Sequence, residues 1–159
     1  MILRNSLTTA SILMLFLFFN SSSVNAQASN SKYNPALADS LGADEYGMKM
    51  YVLVLLKSGP TQISDHAKSD SLFNGHMKNI QRLVNEGKLV VAGPLEKNEK
   101  GYRGIFILNV KTIEEARALL QTDPTIKAKV LDAELYNWYG SAALSMYLPA
   151  SEQERKKSF

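Results

Sequence analysis

The sequence predicts one α+β domain in which two helices cover one face of an antiparallel sheet. Four short apolar runs have the length and composition of strands, and two segments repeat apolar residues at helical spacing. The order along the chain is strand, helix, strand, strand, helix, strand. The chain has 159 residues, of which 45% are hydrophobic, enough for one packed domain of ordinary size.

The first 26 residues are predicted to be a cleavable secretion signal. Arg4 gives a positive start, and the apolar run 12–19 is far shorter than the roughly 20 residues that a membrane-spanning helix needs. Small residues precede Ala26, the first choice for the cleavage site, and Ala28 is the second. We therefore expect an exported protein, periplasmic or secreted, without a membrane span after cleavage. An uncleaved membrane anchor is the alternative.

Polar segments flank the predicted domain on both sides. Residues 27–47 are rich in Ser, Asn, Ala and Asp without periodicity, which indicates a linker or a flexible arm. Residues 149–159 are mostly polar and charged, which indicates a frayed tail. The folded domain is therefore predicted over residues 48–148.

The first strand and the first helix open this domain. Residues 50–56 are a run of Val, Leu, Met and Tyr, typical of a strand that is buried on at least one face. Apolar residues then recur at helical spacing over 72–84, and Gly87 is a natural C-terminal stop. Gly75 inside this pattern costs roughly 1 kcal/mol against alanine. The helix is therefore expected to begin nearer Asn74.

A hairpin and a second helix follow. Residues 89–93 and 104–110 are predicted strands, joined through a turn at 98–101. Thr112 and Glu115 form a capping box, in which their side chains accept hydrogen bonds from free donors at the start of the helix.

The last elements complete a recognised topology. Asp123 is predicted to cap a short helical turn that has Pro124 at its first position, and residues 130–139 alternate apolar and polar side chains as the fourth strand. The order βαββαβ is the ferredoxin-like arrangement, a four-stranded antiparallel sheet with helices on one face. Because the other face also carries apolar residues, we expect it to pack against a second copy in a homodimer.

Composition excludes several classes of function. The chain has no cysteine, which rules out disulfides, thiolate chemistry and cysteine metal sites. Its 18 Lys and Arg residues are scattered among 15 Asp and Glu residues, unlike the basic stripe of a nucleic-acid binder. His66 and His76 have no third ligand at a metal-like spacing, so we predict neither a metal site nor a cofactor.

His76 and Asp123 are the candidate catalytic residues. His76 shares the buried side of the predicted helix with Phe73 and Ile80. One oxygen of Asp123 can cap the following helix while the other accepts an imidazole N–H, which would fix the tautomer and leave one nitrogen as an acid or base. A packed histidine and a simple capping aspartate are the common alternatives, and spacing along the chain does not show that the two meet.

Two residues of the last strand are candidate binding residues. Trp138 could form a wall of a ligand cleft, with packing at a dimer interface as its other use. Glu134 could face the same cleft or lie in solvent. His66 follows Asp65 in a polar loop and is expected to be exposed.

One ordered set of residues extends through the whole domain. It comprises His76, Leu83, Gly87-Lys88-Leu89, Ala92-Gly93-Pro94, Gly104, Ile105-Phe106, Glu114-Glu115-Ala116, Asp123-Pro124, Glu134 and Trp138. Over about residues 50–139, this set resembles the YCII-related (YciI-like) family. The resemblance implies a dimeric ferredoxin-like α/β barrel with a histidine–aspartate pair in a cleft, at the positions of His76 and Asp123.

These observations lead to two hypotheses of different classes. The first is a small, cofactor-independent, exported enzyme in which His76 transfers a proton on a small molecule and Asp123 orients its ring. Lyase or isomerase chemistry suits this hypothesis because the sequence shows neither a candidate nucleophile nor a metal site. The alternative is a non-catalytic homodimer that binds a small ligand or a partner, with His76 as a structural hydrogen-bonding residue. A purely structural envelope module is a third possibility.

Overall fold

The computed structural model of the protein describes residues 30–156, so the predicted signal over residues 1–26 lies outside the described residues. The strands are β1 (Met48–Ser58), β2 (Leu89–Pro94), β3 (Tyr102–Leu108) and β4 (Leu131–Ser141). The helices are α1 (Pro35–Leu41), α2 (His66–Asn85), α3 (Ile113–Leu120), α4 (Pro124–Lys127) and α5 (Leu148–Glu154), and a 3₁₀ helix covers Ala142–Tyr147. All of these elements belong to one compact unit that begins at Asn34.

The four strands form one antiparallel sheet in the order β2-β3-β1-β4. The central strand β1 pairs with β4 along its whole length, from Met48 opposite Ser141 to Ser58 opposite Leu131. Strands β2 and β3 form the predicted hairpin. The predicted α+β class and the order βαββαβ are therefore confirmed.

The hydrophobic core lies between one face of this sheet and the helices. Val52, Val54 and Leu56 alternate along β1 and are at most 4% exposed. Leu83 of α2 and Leu120 of α3 belong to the same buried cluster. Side chains of a strand alternate between its two faces, so every second residue of β1 faces the helices.

The opposite face of the sheet carries apolar side chains that stay half-buried. Leu53 and Leu55 lie between the core residues of β1, opposite Ile107 and Ile105 of β3. By the same alternation, these four residues face away from the helices. This face of the compact unit therefore presents apolar surface that a second layer would bury.

Helix α2 begins eight residues earlier than predicted. Its first residue is His66, and the carboxylate of Asp65 caps it by accepting the Lys68 backbone N–H at 3.3 Å. The first two turns are mostly exposed and so carry no apolar pattern. The expectation that the helix begins near Asn74 was wrong because Gly75 is tolerated in the helix interior, where it permits a close packing contact that is described below.

The predicted helix caps form at both later sites. Thr112 accepts the Glu115 backbone N–H at 3.1 Å, and the Glu115 carboxylate accepts the backbone N–H of Lys111 at 3.0 Å. Asp123 caps α4, which has Pro124 at its first position. Each cap satisfies donors that helix starts otherwise leave unpaired.

Two short helices lie in segments that were predicted to be irregular. Helix α1 occupies part of the predicted linker, where Asn34 caps its start and Gly42 ends it in the left-handed conformation (φ 67°). Helix α5 occupies the predicted frayed tail. Both helices lack buried residues, so apolar periodicity gave no signal for them. None of the described helices combines the length and the apolar character that crossing a bilayer demands.

Candidate functional site

A cleft of about 630 Å³ lies between α2 and the helix-facing side of the sheet. Its walls are mainly apolar and include Phe73, Met77, Ile80, Val90, Phe106 and Leu131. His76 lines the same cleft, with 11% of its side chain exposed. A titratable ring in a mainly apolar hollow of this size is typical of small-molecule sites.

The structure brings His76 and Asp123 together. His76 Nδ1 lies 2.6 Å from Asp123 Oδ2, although 46 residues separate them in the chain. The carboxylate is 1% exposed. Because an ionised carboxylate can only accept, this hydrogen bond assigns the imidazole hydrogen to Nδ1 and leaves Nε2 as the nitrogen with a free lone pair.

Thr125 holds the other oxygen of the same carboxylate. Asp123 Oδ1 accepts both the Thr125 backbone N–H at 2.8 Å and the Thr125 hydroxyl at 2.6 Å. Burial on its own would raise the pKa of Asp123, but the hydrogen bonds from His76 and Thr125 outweigh it and hold the pKa below its ordinary value. The buried carboxylate therefore stays ionised at neutral pH.

Thr125 is a residue of the site that was not predicted from the sequence. A capping aspartate accepts from the second or third residue of its helix, and Thr125 is the second residue of α4. The position of Thr125 in the helix could therefore have identified its backbone N–H as a donor to Asp123. Its hydroxyl also contacts Asp123 because Thr125 is fully buried, and that burial could not be read from the sequence.

Two aromatic rings fix the position of the His76 imidazole. Phe106 stacks beside it with ring centroids 6.0 Å apart, and Phe73 meets it edge-on at 6.2 Å. Together with the Asp123 hydrogen bond, these contacts restrict the ring to one orientation, as expected of a group that must meet a ligand in a fixed geometry.

A glycine allows the two candidate residues to approach each other. Gly75 precedes His76 on α2 and Pro124 follows Asp123 on α4, and a methyl group at Gly75 would lie 2.7 Å from Pro124 Cγ. Real Cβ atoms essentially never approach another carbon so closely. The missing side chain therefore sets the spacing between α2 and α4, and with it the His76–Asp123 distance.

The two predicted binding residues lie on the other face of the sheet. Leu135 packs against the core, so by alternation Glu134 and Trp138 face away from the helices, and neither lines the His76 cleft. Their predicted place in that cleft was therefore wrong. Trp138 instead packs against Tyr51 with ring centroids 5.6 Å apart.

Glu134 is the centre of a polar cluster on that face. It accepts hydrogen bonds from Lys57 Nζ at 3.0 Å, the Tyr136 hydroxyl at 3.1 Å and the Tyr102 hydroxyl at 3.2 Å. The hydrogen bonds from Lys57 and Tyr136 hold the pKa of Glu134 below its ordinary value. The cluster therefore keeps an ionised carboxylate at one end of the apolar sheet face.

The remaining histidine lies apart from the cleft. His66 is exposed at the first position of α2. Within residues 30–156, no three or more His, Asp or Glu side chains gather in a way that could hold a metal ion.

Comparison with known proteins bears directly on the domain that carries this cleft. The YCII-related domain matches residues 50–138 of the chain, more than half of its length. The chain belongs to the YCII-related family. The predicted resemblance is therefore confirmed, and the match contains both His76 and Asp123. Strand β4 extends past the end of the YCII-related match, and α5 lies wholly beyond it.

Among solved structures, the YCII-related chain is similar to a 5-chloro-2-hydroxyhydroquinone dehydrochlorinase from Burkholderia phenoliruptrix AC1100, in complex with 2,5-dihydroxybenzoquinone. The two chains are 18% identical with a TM-score of 0.40, and the similarity covers 57% of this chain and 93% of the other. No curated protein matches the sequence.

Proposed function

We propose that this YCII-related protein is a cofactor-independent enzyme in which His76 transfers a proton on a small molecule bound in the cleft. The observation that carries the proposal is the 2.6 Å hydrogen bond between a cleft-lining imidazole and a buried carboxylate. Such a pair orients the ring and stabilises the imidazolium that forms when Nε2 accepts a proton. Lyase or isomerase chemistry fits this arrangement.

The proposed reaction needs one group that first accepts and then returns a proton. His76 Nε2 removes a proton from the substrate, and the bonding electrons form a double bond. In an elimination, the leaving group departs with its electron pair, and the imidazolium then releases its proton to that group or to water. In an isomerisation, the imidazolium returns the proton to a neighbouring atom. Asp123 keeps its own proton count throughout, because its hydrogen bonds favour the ionised form.

The cleft favours a small and largely apolar substrate. Its volume matches a molecule of one or two rings, and the aromatic side chains of Phe73 and Phe106 offer flat surfaces beside His76. We therefore propose a cyclic or carbonyl-bearing molecule with an acidic hydrogen.

A comparison of His76→Gln with the native protein tests the proposal. We would screen small cyclic carbonyl compounds and hydroxylated aromatics with a potential leaving group, and follow each by proton NMR. Glutamine still reaches toward Asp123 but has no basic nitrogen, so turnover should fall about 10²- to 10⁴-fold. His66→Gln, the same change at an exposed position, should leave the rate unchanged.

Two outcomes would contradict catalysis by His76. One is a compound that the native protein binds tightly and that stays unchanged on long incubation, which would favour a non-catalytic ligand-binding protein. The other is a compound that His76→Gln converts at the native rate, which would place the chemistry elsewhere.

We also propose that a second copy of the chain covers the apolar face of the sheet. Leu53 and Leu55 with Ile105 and Ile107 give this face a continuous apolar centre, and resemblance to the family implies a dimeric barrel. Self-association through a shared face is the commonest way in which soluble proteins bury such a surface.

The variant Leu55→Glu is expected to separate this dimer. A carboxylate without a partner costs several kcal/mol to desolvate, so the dissociation constant should rise at least about a hundredfold. Light scattering after size exclusion measures the mass, and Lys78→Glu, on the exposed side of α2, is the control. A native protein that is monomeric at tens of micromolar would contradict the dimer.

We also propose that the protein is exported and loses its signal. This is supported by the layout of residues 1–26, with a basic start, a short apolar run and small residues before Ala26. Intact mass measurement of the protein recovered from outside the cytoplasm should show a chain that begins at Gln27 or at Ser29. A full-length chain recovered only from the cytoplasm would contradict export.

A further inference from the structure

The end of the described chain lines the His76 cleft. Tyr147, Leu148, Ser151, Glu152 and Arg155 line the cleft together with residues of α2 and the sheet. The last four of these lie at helical spacings of three and four, so one side of α5 and its C-terminal cap faces the cleft. We propose that α5 is a lid that closes the His76 cleft and restricts which ligands enter it.

This lid lies beyond the residues that match the YCII-related domain. The family match ends at residue 138, whereas α5 spans Leu148–Glu154. The catalytic candidates therefore belong to the shared domain, and part of the wall around the ligand belongs to a segment outside it. Ligand selection can thus differ in this chain without a change at His76 or Asp123.

Tyr147 anchors the start of the lid to the edge of the sheet. The Tyr147 hydroxyl donates a hydrogen bond to the backbone carbonyl of Val90 on β2, which is an edge strand. Burial raises the pKa of Tyr147, so the phenol remains protonated and able to donate. Tyr147 directly precedes α5, which places this anchor at the hinge end of the lid.

The lid helix can move without disturbing the hydrophobic core. Helix α5 has seven residues, none of them buried, and its first turn has no side-chain cap. Helices of this length are not stable alone in water, so α5 depends on its contacts with the rest of the domain to stay folded. Opening it leaves the core residues in place, which is typical of segments that admit ligands.

The charges around the closed cleft balance. Glu152 and Glu154 of the lid line the cleft together with Arg103 and Arg155. A ligand with a large net charge gains no net attraction from such a wall, and the apolar interior would desolvate it at a cost. The lid therefore favours small uncharged molecules. Ligand selection rests on the proposed function of the cleft, whereas the covering of His76 does not depend on catalysis.

Chemical modification of the two histidines tests whether α5 covers the cleft. Diethyl pyrocarbonate acylates an accessible neutral imidazole nitrogen, and peptide mass spectrometry follows His76 and the exposed His66 in one sample. Deletion of residues 148–159 should raise the His76 rate at least about tenfold, since a lid of this kind is open for about a tenth of the time or less. The His66 rate should not change.

A full-length variant repeats the test without shortening the chain. Leu148→Asp places a carboxylate against the apolar cleft and should also raise the His76 rate, whereas Ala150→Asp, on the exposed side of α5, should leave it unchanged. Circular dichroism verifies that each variant is folded. If the deletion variant does not fold, the His76 rate of Leu148→Asp alone tests whether α5 covers the cleft. Unchanged His76 rates in the folded variants would overturn the lid and leave the proposed catalysis intact.

Discussion

Asparagine in place of Asp123 is expected to reverse the tautomer of His76 and to lower the free energy of unfolding by about 1.5–3 kcal/mol. The amide oxygen can continue to accept from Thr125, but the NH₂ group then faces His76 Nδ1. Two donors cannot pair, so the imidazole must move its hydrogen to Nε2. The nitrogen facing the cleft then loses its lone pair, and base catalysis is lost with little change in shape.

Long-range proton–nitrogen NMR correlations distinguish the two imidazole tautomers directly. The native protein should show a protonated Nδ1 at His76, and Asp123→Asn a protonated Nε2, with His66 unaffected. Asp65→Asn is the matched control, because Asp65 also caps a helix but has no histidine partner in the structure. The same tautomer in the native protein and Asp123→Asn would contradict the proposed role of the carboxylate.

The difference in the free energy of unfolding between the native protein and Asp123→Asn should depend on pH. The folded-state pKa of Asp123 is lowered, so its stabilising contribution is fully present above the unfolded-state pKa of about 4 and is lost as the pH falls through the lower folded value. Urea unfolding at pH 5 and pH 3 should therefore show that the difference in the free energy of unfolding becomes smaller at pH 3. A difference that stays constant or grows between pH 5 and pH 3 would contradict this linkage.

Alanine in place of Gly75 is expected to destabilise the protein although it improves helix propensity. At an exposed position inside a helix, the change would raise the free energy of unfolding by about 1 kcal/mol. Here the new methyl group would meet Pro124 Cγ at 2.7 Å, and overpacking of this kind costs about 1–3 kcal/mol. Because proline is rigid, α4 must move away from α2, and the His76–Asp123 hydrogen bond should lengthen.

Urea unfolding and the imidazole proton resonance together check this prediction. The free energy of unfolding should fall by up to about 2 kcal/mol, because the gain in helix propensity offsets part of the overpacking cost, and the Nδ1 proton of His76 should move upfield as its hydrogen bond weakens. Asn74→Ala, one residue earlier on the exposed side of α2, should stabilise the helix instead. Equal stabilisation by both substitutions would show that Gly75 does not set the spacing of the two helices.

The fold was predictable because its main signals are local. Apolar runs marked all four strands, and the caps at Thr112 and Asp123 marked two helix starts. The first two turns of α2 escaped prediction because they are mostly exposed and so leave no apolar pattern. Helices α1 and α5 were missed for the same physical reason.

The candidate site was predictable only in part. Nothing in the spacing of His76 and Asp123 reveals that they meet, so their pairing came from the family resemblance. The predicted alternation of β4 already placed Leu131, Ala133 and Leu135 toward the core. Glu134 and Trp138 have even numbers, so the same alternation places them on the opposite face, away from the cleft. The lid was not predicted because a short polar segment without apolar periodicity is equally typical of a disordered tail.

The position of β1 at the centre of the sheet governs when this chain can fold. One edge of β1 pairs only with β4, which is synthesised last among the strands. Until Ser141 has left the ribosome, that edge and its apolar side chains have no native partner, and sheets built from such distant pairings form slowly. The central strand can therefore acquire both of its neighbours only after most of the chain has been synthesised.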